Sequence, residues 1–191
     1  MKLGFNQHLD WHLTSWTSPS DPSPGTYSSK IYGYREIGIW NWPILVYRSG
    51  PWNGHGFGGF SDMSFLAFRV VINHEAVYYM FEILNKSILS RVVLNQFGEV
   101  QRYMLLDPIH GWKKLYWWFP VDQCDEHAEC GAFGVCNTSD SSVCKCLRGF
   151  VPKSPEKWAL RDFSDGCVRR TALDCGRGGD GILKVTGLFK I

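Results

Sequence analysis

The chain has 191 residues, 45% of them hydrophobic and 15% aromatic, enough to bury one large core or two small ones and too apolar for a disordered chain. Its 20 basic and 18 acidic residues leave a formal charge of +2. They are spread along the sequence, so no basic stripe is present to hold phosphate backbones or anionic lipid, and nucleic acid is not an expected partner.

Met1 to Trp16 carries Asn6, Gln7, His8, Asp10 and His12 where the apolar segment of a signal peptide would stand. Ser18 to Gly25 (SPSDPSPG) reads as a loop, since Pro19, Pro22 and Pro24 remove backbone donors and forbid a central strand. Beyond it the pattern has period 2. Candidate strands are Thr26 to Tyr32, Ile37 to Trp40, Leu45 to Tyr47, Phe65 to Ile72, Val77 to Leu84, Ser87 to Leu94, Glu99 to Leu105 and Trp112 to Phe119. In the fifth of these, Val77, Tyr79, Phe81 and Ile83 alternate with Tyr78, Met80, Glu82 and Leu84, and Glu82 marks the face toward water. Asn73-His74, Asn85-Lys86 and Asn95 to Gly98 fit hairpin turns, because Asn and Gly tolerate positive φ. The expectation is a mainly β, antiparallel meander with no amphipathic helix. Even the longest apolar runs, such as Phe65 to Ile72, fall far short of the ~18 to 20 residues of a membrane helix.

Composition changes near Pro120. Residues 1–119 hold eight of the nine tryptophans and no cysteine, whereas all seven cysteines lie between Cys124 and Cys175. That density suits a small module cross-linked in an oxidising compartment, and hence an exported protein. Cys124, Cys130, Cys136, Cys144, Cys146 and Cys167 allow fifteen pairings, among which spacing alone does not choose. A zinc site from Cys144, Cys146 and His127 is the rival reading, disfavoured because the C-x2-C pairs of structural zinc are absent.

Other motifs lack their context. Gly54 to Gly59 satisfies G-x-G-x-x-G, but Pro51 precedes it and a strand-like run follows, where a dinucleotide site needs a strand and then a helix. Arg161-Asp162-Phe163 is followed by Ser164 and has no accompanying kinase motifs, and the six histidines form no nucleophilic triad in order. No catalytic residue, cofactor or metal is expected. Asn85-Lys86-Ser87 and Asn137-Thr138-Ser139 are N-glycosylation sequons at turns.

Cys144-x-Cys146 with Gly149-Phe150 resembles an epidermal-growth-factor-like (EGF-like) module, and that resemblance implies the pairs Cys124–Cys136, Cys130–Cys144 and Cys146–Cys167. Calcium-binding forms of the module need oxygens where Pro120, Thr138 and Val143 stand; only Asp122 and Gln123 fit, so no calcium site is expected.

Leu13-Thr14-Ser15-Trp16, Asp21-Pro22-Ser23-Pro24-Gly25, Arg48-Ser49-Gly50-Pro51-Trp52-Asn53-Gly54, Cys146 to Pro152 and Gly166-Cys167-Val168-Arg169-Arg170 are similar, in this order, to S-locus glycoproteins and S-domain receptor-like kinases. The resemblance implies the end of a first bulb-lectin-like domain at 1–14, a second lectin-like β-prism domain at 15–119, an EGF-like module at 120–167 and the start of a PAN/apple domain at 168–191. It implies that both ends are cut, that an upstream leader is missing, and that Cys175, unpaired within 1–191, finds its partner downstream. It places the parent outside the cell or on the outer face of the plasma membrane, with no kinase domain in this segment. The implied partner is a protein or peptide ligand, in some members a small cysteine-rich pollen-coat peptide, bound commonly by dimers. Bulb lectins read mannose through Q-x-D-x-N-x-V-x-Y; here Val71, Asn73, Glu75, Val77 and Tyr79 stand at that spacing, so only the last two agree and a secreted mannose-type lectin is the second reading. Trp40-Asn41-Trp42 and Arg35 are candidate interface anchors, with most tryptophans expected in the core.

Overall fold

The computed structural model describes residues 1–33, 36–52, 54, 57, 66–105, 109, 111–119 (backbone alone over 115–119) and 123–173. The chain divides into two compact units, Met1–Val121 and Asp122–Ile191. Cys175, Arg35 and the expected PAN/apple opening lie outside the described residues, except for 168–173.

The first unit contains β1 (Lys2–Asn6), β2 (Asp10–Trp11), β3 (Leu13–Ser18), β4 (Asp21–Tyr32), β5 (Glu36–Asn41), β6 (Ile44–Arg48), β7 (Leu66–Ile72), β8 (Ala76–Ile83), β9 (Leu89–Leu94), β10 (Val100–Leu105) and β11 (Trp112–Phe119). They form three antiparallel sheets, ordered β2-β1-β8-β7, β3-β4-β5-β6 and β11-β10-β9. The meander of the sequence reading is therefore divided among three sheets. It is also interrupted, because β1 reaches across the chain to pair with β8, placing Leu3 opposite Tyr79 and Gly4 opposite Tyr78.

Alternation drives the assembly. In β8, Val77, Tyr79 and Phe81 are buried while Glu82 is exposed, the face that Glu82 marks in the sequence. Leu3, Leu66, Tyr79 and Phe81 from the first sheet meet Ile37 of the second, together with Phe57. Ile39 and Tyr47 of the second meet Leu94 of the third. Three apolar faces thus converge on one interior, the bulb-lectin-like arrangement, and each sheet supplies what the other two cannot bury alone.

Two polar side chains are buried in this interior, one held by backbone groups and one by side chains. Ser49 is fully buried; its Oγ accepts from the Ile37 amide at 2.9 Å and donates to the Gly50 carbonyl at 2.8 Å. Arg102 is also fully buried, with its guanidinium 3.9 Å above the Phe81 ring and Nη1 3.1 Å from Ser90 Oγ. Burial lowers its pKa to about 10, an effect opposed by Tyr79, so the guanidinium stays charged at neutral pH.

The turns behave as Asn-led hairpins. Asn73 Oδ1 accepts from the amides of Glu75 and Ala76, and Asn95 Oδ1 from those of Phe97 and Glu99. Gly98 has φ +84°, and an added Cβ would lie 2.6 Å from the Tyr27 ring, so both backbone and packing require glycine there.

The proline-rich segment differs from expectation. A strand, β4, begins at Asp21 and carries Pro22 and Pro24. The prolines are tolerated because this stretch pairs only with β3, irregularly, through Trp16 with Pro24 and Ser18 with Asp21; β5 joins from Tyr27 onward. Thr17 Oγ1 reaches the carbonyls of Ser23 and Pro24 at 3.1 and 3.3 Å, a side-chain donor where the backbone ladder is broken.

The second unit is built from β12 (Gly134–Cys136) paired with β13 (Cys144–Cys146) and β14 (Phe150–Pro152) paired with β15 (Cys167–Arg169). One short α-helix, α1 (Pro155–Ala159), is present among the described residues; at five residues with none buried, it is not an amphipathic helix of the kind whose absence the sequence predicts. It is started by Ser154, whose hydroxyl accepts from the Lys157 amide, and by proline in its first turn.

Tyr79 supplies a test of how the first interior is assembled. Its hydroxyl is buried without a hydrogen-bond partner among the described residues, and burial raises its pKa. Tyr79→Phe should therefore raise unfolding stability by about 1 kcal/mol, whereas Phe81→Ala should lower it by about 3 to 5 kcal/mol, both read by urea denaturation followed through tryptophan fluorescence.

Candidate recognition surface

The outer face of the β3-β4-β5-β6 sheet gathers aromatic and charged side chains. β5 turns Ile37 and Ile39 inward, and so turns Glu36, Gly38 and Trp40 outward. Gly38 stands opposite both Lys30 and Arg48. Trp40 lies across it: a Cβ at Gly38 would come within 2.5 Å of the indole. Tyr32 packs beside Trp40 with ring centroids 5.9 Å apart, and Arg48 sits 5.2 Å from the Tyr32 ring. Arg48 donates twice to Glu36, at 2.8 and 2.9 Å, and this pair raises the guanidinium pKa.

Lys30 faces Trp40 at 5.1 Å and Trp42 at 5.5 Å. Trp42 itself is 70% exposed, in the β5–β6 turn beside Pro43 and Ile44. Of the paired candidates Trp40 and Trp42, one is therefore packed and the other projects. The expectation that most tryptophans are core does not hold among the described side chains: Trp40 is buried, while Trp16, Trp42 and Trp112 are exposed. Small three- and four-stranded sheets have as much outer face as inner, and cations cover part of these indoles. Arg91 lies over Trp112 at 4.6 Å, and Lys2 lies between Trp11 and Tyr78 at 3.8 and 3.9 Å.

The sugar-reading positions fall on the β7–β8 hairpin. Val77 and Tyr79 point into the core. Asn73 spends its side-chain oxygen on the turn, and Glu75 is exposed beside His74. The two matching residues of the motif are packing residues, and among the described residues no set of amide and carboxylate groups converges at Val71, Asn73 and Glu75 to bind sugar hydroxyls.

Of the glycine-rich G-x-G-x-x-G segment, Gly54 and Phe57 are among the described residues. Phe57 is buried between Trp52 and Tyr79, at centroid distances of 5.2 and 5.1 Å, and the next described element is strand β7. The segment sends an aromatic anchor into the core.

In the second unit Cys124 is bonded to Cys136, Cys130 to Cys144 and Cys146 to Cys167, with Cα separations of 5.4, 5.4 and 5.8 Å. Cys130, Cys136 and Cys144 bring their sulfurs within 4.8 Å of one another, and each is already in a disulfide. The zinc rival would need Cys144 and Cys146 as thiolates, but both are bonded. These bridges form most of a core completed by Phe163 and Trp158, whose rings meet edge to face at 4.8 Å. Lys157 closes the helix onto the following loop through Asp165 at 3.1 Å.

Asn85 and Asn137 are both exposed in turns. Each uses Oδ1 to accept the amide two residues on, from Ser87 and Ser139 respectively, at 3.0 Å. That leaves the Nδ2 amide, the atom a glycan would occupy, directed away from the turn's own backbone bond.

Two measurements follow from this geometry. Replacing Cys130 and Cys144 together by serine should cost about 2 to 5 kcal/mol and make residues 123–173 the first site of protease cleavage, followed by limited proteolysis with mass spectrometry. Expression in a secretory host should give two glycan-sized mass increments, of which Asn85→Gln and Asn137→Gln each remove one.

The model of the S-locus glycoprotein domain matches residues 47–154. The chain is 42% identical over 97% of its length to the receptor-like serine/threonine-protein kinase SD1-8 of Arabidopsis thaliana, covering 22% of that protein. It is 39% identical over 97% of its length to the S-locus-specific glycoprotein BS29-2 of Brassica oleracea var. alboglabra, covering 44% of it. It is also 35% identical over 92% of its length to the G-type lectin S-receptor-like serine/threonine-protein kinase SRK of Arabidopsis thaliana, covering 21% of it. The chain thus spans between about a fifth and less than half of the relatives it matches. Three sheets around one interior, a cystine-based second unit and this similarity across nearly the whole chain place it in the S-locus glycoprotein family.

Proposed function

We propose that the chain is the extracellular, ligand-recognising part of an S-domain receptor-like kinase or S-locus glycoprotein, and that its ligand is a protein or peptide. The observation that carries the reading is the combination on one chain of a sheet body, whose sugar-reading positions are given over to packing and turn formation, with a unit stapled by three disulfides. Disulfides of this density persist in an oxidising compartment. Among the described residues no helix is long and apolar enough to cross a membrane.

The segment senses and does not catalyse. The kinase relatives are covered over about a fifth of their length, and the S-locus glycoprotein domain matches residues 47–154 of this chain. Exposed Trp42 with Lys30, and Arg48 fixed by Glu36, supply the aromatic and cationic side chains that dominate protein–protein binding energy. The finer role is recognition of pollen, or a related form of cell-surface signalling, through a small cysteine-rich peptide bound by a dimeric receptor. The domain assignment at 1–14, 15–119, 120–167 and 168–191 belongs to the same reading. Strand β1, within the first of these, is hydrogen-bonded into the sheet of β7 and β8.

The test uses the secreted, disulfide-bonded chain immobilised for interferometry. Cysteine-rich peptides fractionated from pollen coat should bind saturably, with Trp42→Ala lowering affinity by at least about tenfold, the loss of 1.4 kcal/mol. A glycan array should give no signal that free mannose competes away. Mannose-competed binding, with no peptide binding, would establish the lectin reading instead.

A further inference from the structure

Two of the three sheets end on strands that face one another without pairing. β9 is the outermost strand of β11-β10-β9, and β3 is the outermost strand of β3-β4-β5-β6. Among the described residues no backbone hydrogen bond joins them. Between them runs a groove of about 570 Å³, the size of an ordinary ligand cleft. Leu13, Val92 and Leu94, which also pack against the interior, form its floor.

The two edges are not equivalent. β3 pairs with β4 through two register shifts and runs directly into Pro19, features that spoil a strand as a template. β9 pairs with β10 in unbroken register from Leu89 opposite Leu105 to Leu94 opposite Val100. It contains no proline, so alternate amides and carbonyls along its outer edge are in regular array. Such an edge is the acceptor for β-strand addition, in which main-chain bonds give affinity and the flanking side chains give selectivity.

Those side chains have a definite character. Trp16, 53% exposed, stands on the β3 side. On the β9 side Arg91 stacks over Tyr103 at 5.2 Å and Trp112 at 4.6 Å. Register continues this row, Arg91 opposite Tyr103 and Tyr103 opposite Lys114. Among the described residues the groove lining holds one cation, Arg91, and no carboxylate. The nearest acid along the same face of the hairpin, Glu99, already accepts from the side-chain amides of Asn95 and Gln101 at 2.8 and 2.6 Å.

We infer that this groove binds an extended peptide segment, added as a fourth strand on β9, with an acidic side chain of the segment paired to Arg91 and an apolar side chain against Trp16. The assignment rests on the reading of the chain as a protein- or peptide-recognition module and names where an extended part of such a ligand is held.

The experiment pans the secreted, disulfide-bonded chain against a display library of linear peptides about nine residues long, enough to span a strand of ordinary length. Selected peptides should alternate apolar with polar residues around one Asp or Glu. Their binding should slow amide hydrogen exchange in Leu89–Leu94. Arg91→Glu, an exposed change checked for unaltered circular dichroism, should weaken binding at least about tenfold, and exchanging the peptide acid for lysine should restore it. Failure to select acidic peptides, equal affinity for the Arg91→Glu chain, or exchange protection elsewhere would overturn the assignment. So would concentration-dependent self-association abolished by Arg91→Glu, which would make a second copy the occupant. If pollen-coat peptides bind the chain undiminished by Arg91→Glu, the groove falls and the recognition reading stands. If selected peptides occupy the groove while no pollen-coat peptide binds, the groove stands and that reading falls.

Discussion

The convergence of three apolar sheet faces on a single interior is the constraint that organises the first unit. Each of the sheets has three or four strands and one apolar face, and each must bury that face against another layer. Ile37 and Ile39 of β5, adjacent inward positions on one strand, serve two different clusters, the first with Tyr79 and Phe81 and the second with Tyr47 and Leu94. That double use ties the sheets together. It also leaves three outer faces and several strand edges on the surface, because a three-sided interior closes the core without closing the hydrogen-bond ladder around it. Surface available for recognition is thus a consequence of how the core is filled.

The second unit solves the same problem by other means. Its strands are three residues long, and its buried set consists largely of half-cystines with Phe163. Apolar area of that size does not offset the conformational entropy of ordering the segment, whereas cross-links over sequence separations of 12, 14 and 21 residues restrict the unfolded chain by about 3 kcal/mol each. Gly131 and Gly166, both with positive φ, approach so closely that a Cβ on either would clash with the backbone of the other segment. The compactness comes from covalent ties and backbone contact more than from side-chain burial.

Long strands and Asn-led turns were legible in the sequence because each carries a local signal: alternation in β8, and an Asn side chain that satisfies its own turn at Asn73, Asn85 and Asn95. The early strands were not: β1, β2 and β3 are short and carry no clear alternation, and β1 is held by a partner distant in sequence, as Gly4 is by Tyr78. Prolines misled at Asp21 to Pro24 because the rule against proline in strands concerns central ladders, and which part of β4 is central is a tertiary fact. Helix α1 had a readable start in Ser154-Pro155-Glu156, but five residues give no periodicity to find. Tryptophan placement was misjudged for a related reason: hydrophobicity says that an indole prefers cover, and Lys2, Lys30 and Arg91 supply some of that cover from outside the core.

This separation of inner and outer positions explains how the scaffold can persist while its binding chemistry changes. Of the five residues at the sugar-motif spacing, Val77 is buried and Tyr79 is fixed by packing with Leu3, Phe57 and Phe68, so a replacement at either is felt in the interior. Val71, Asn73 and Glu75 lie on the outer face and in the turn, where a substitution alters surface without disturbing the core. The fold therefore conserves the apolar half of a recognition motif for reasons of stability and leaves its polar half free. A chain of this kind keeps a lectin-like body while its outer faces carry aromatic and cationic groups such as Trp42, Lys30 and Arg91.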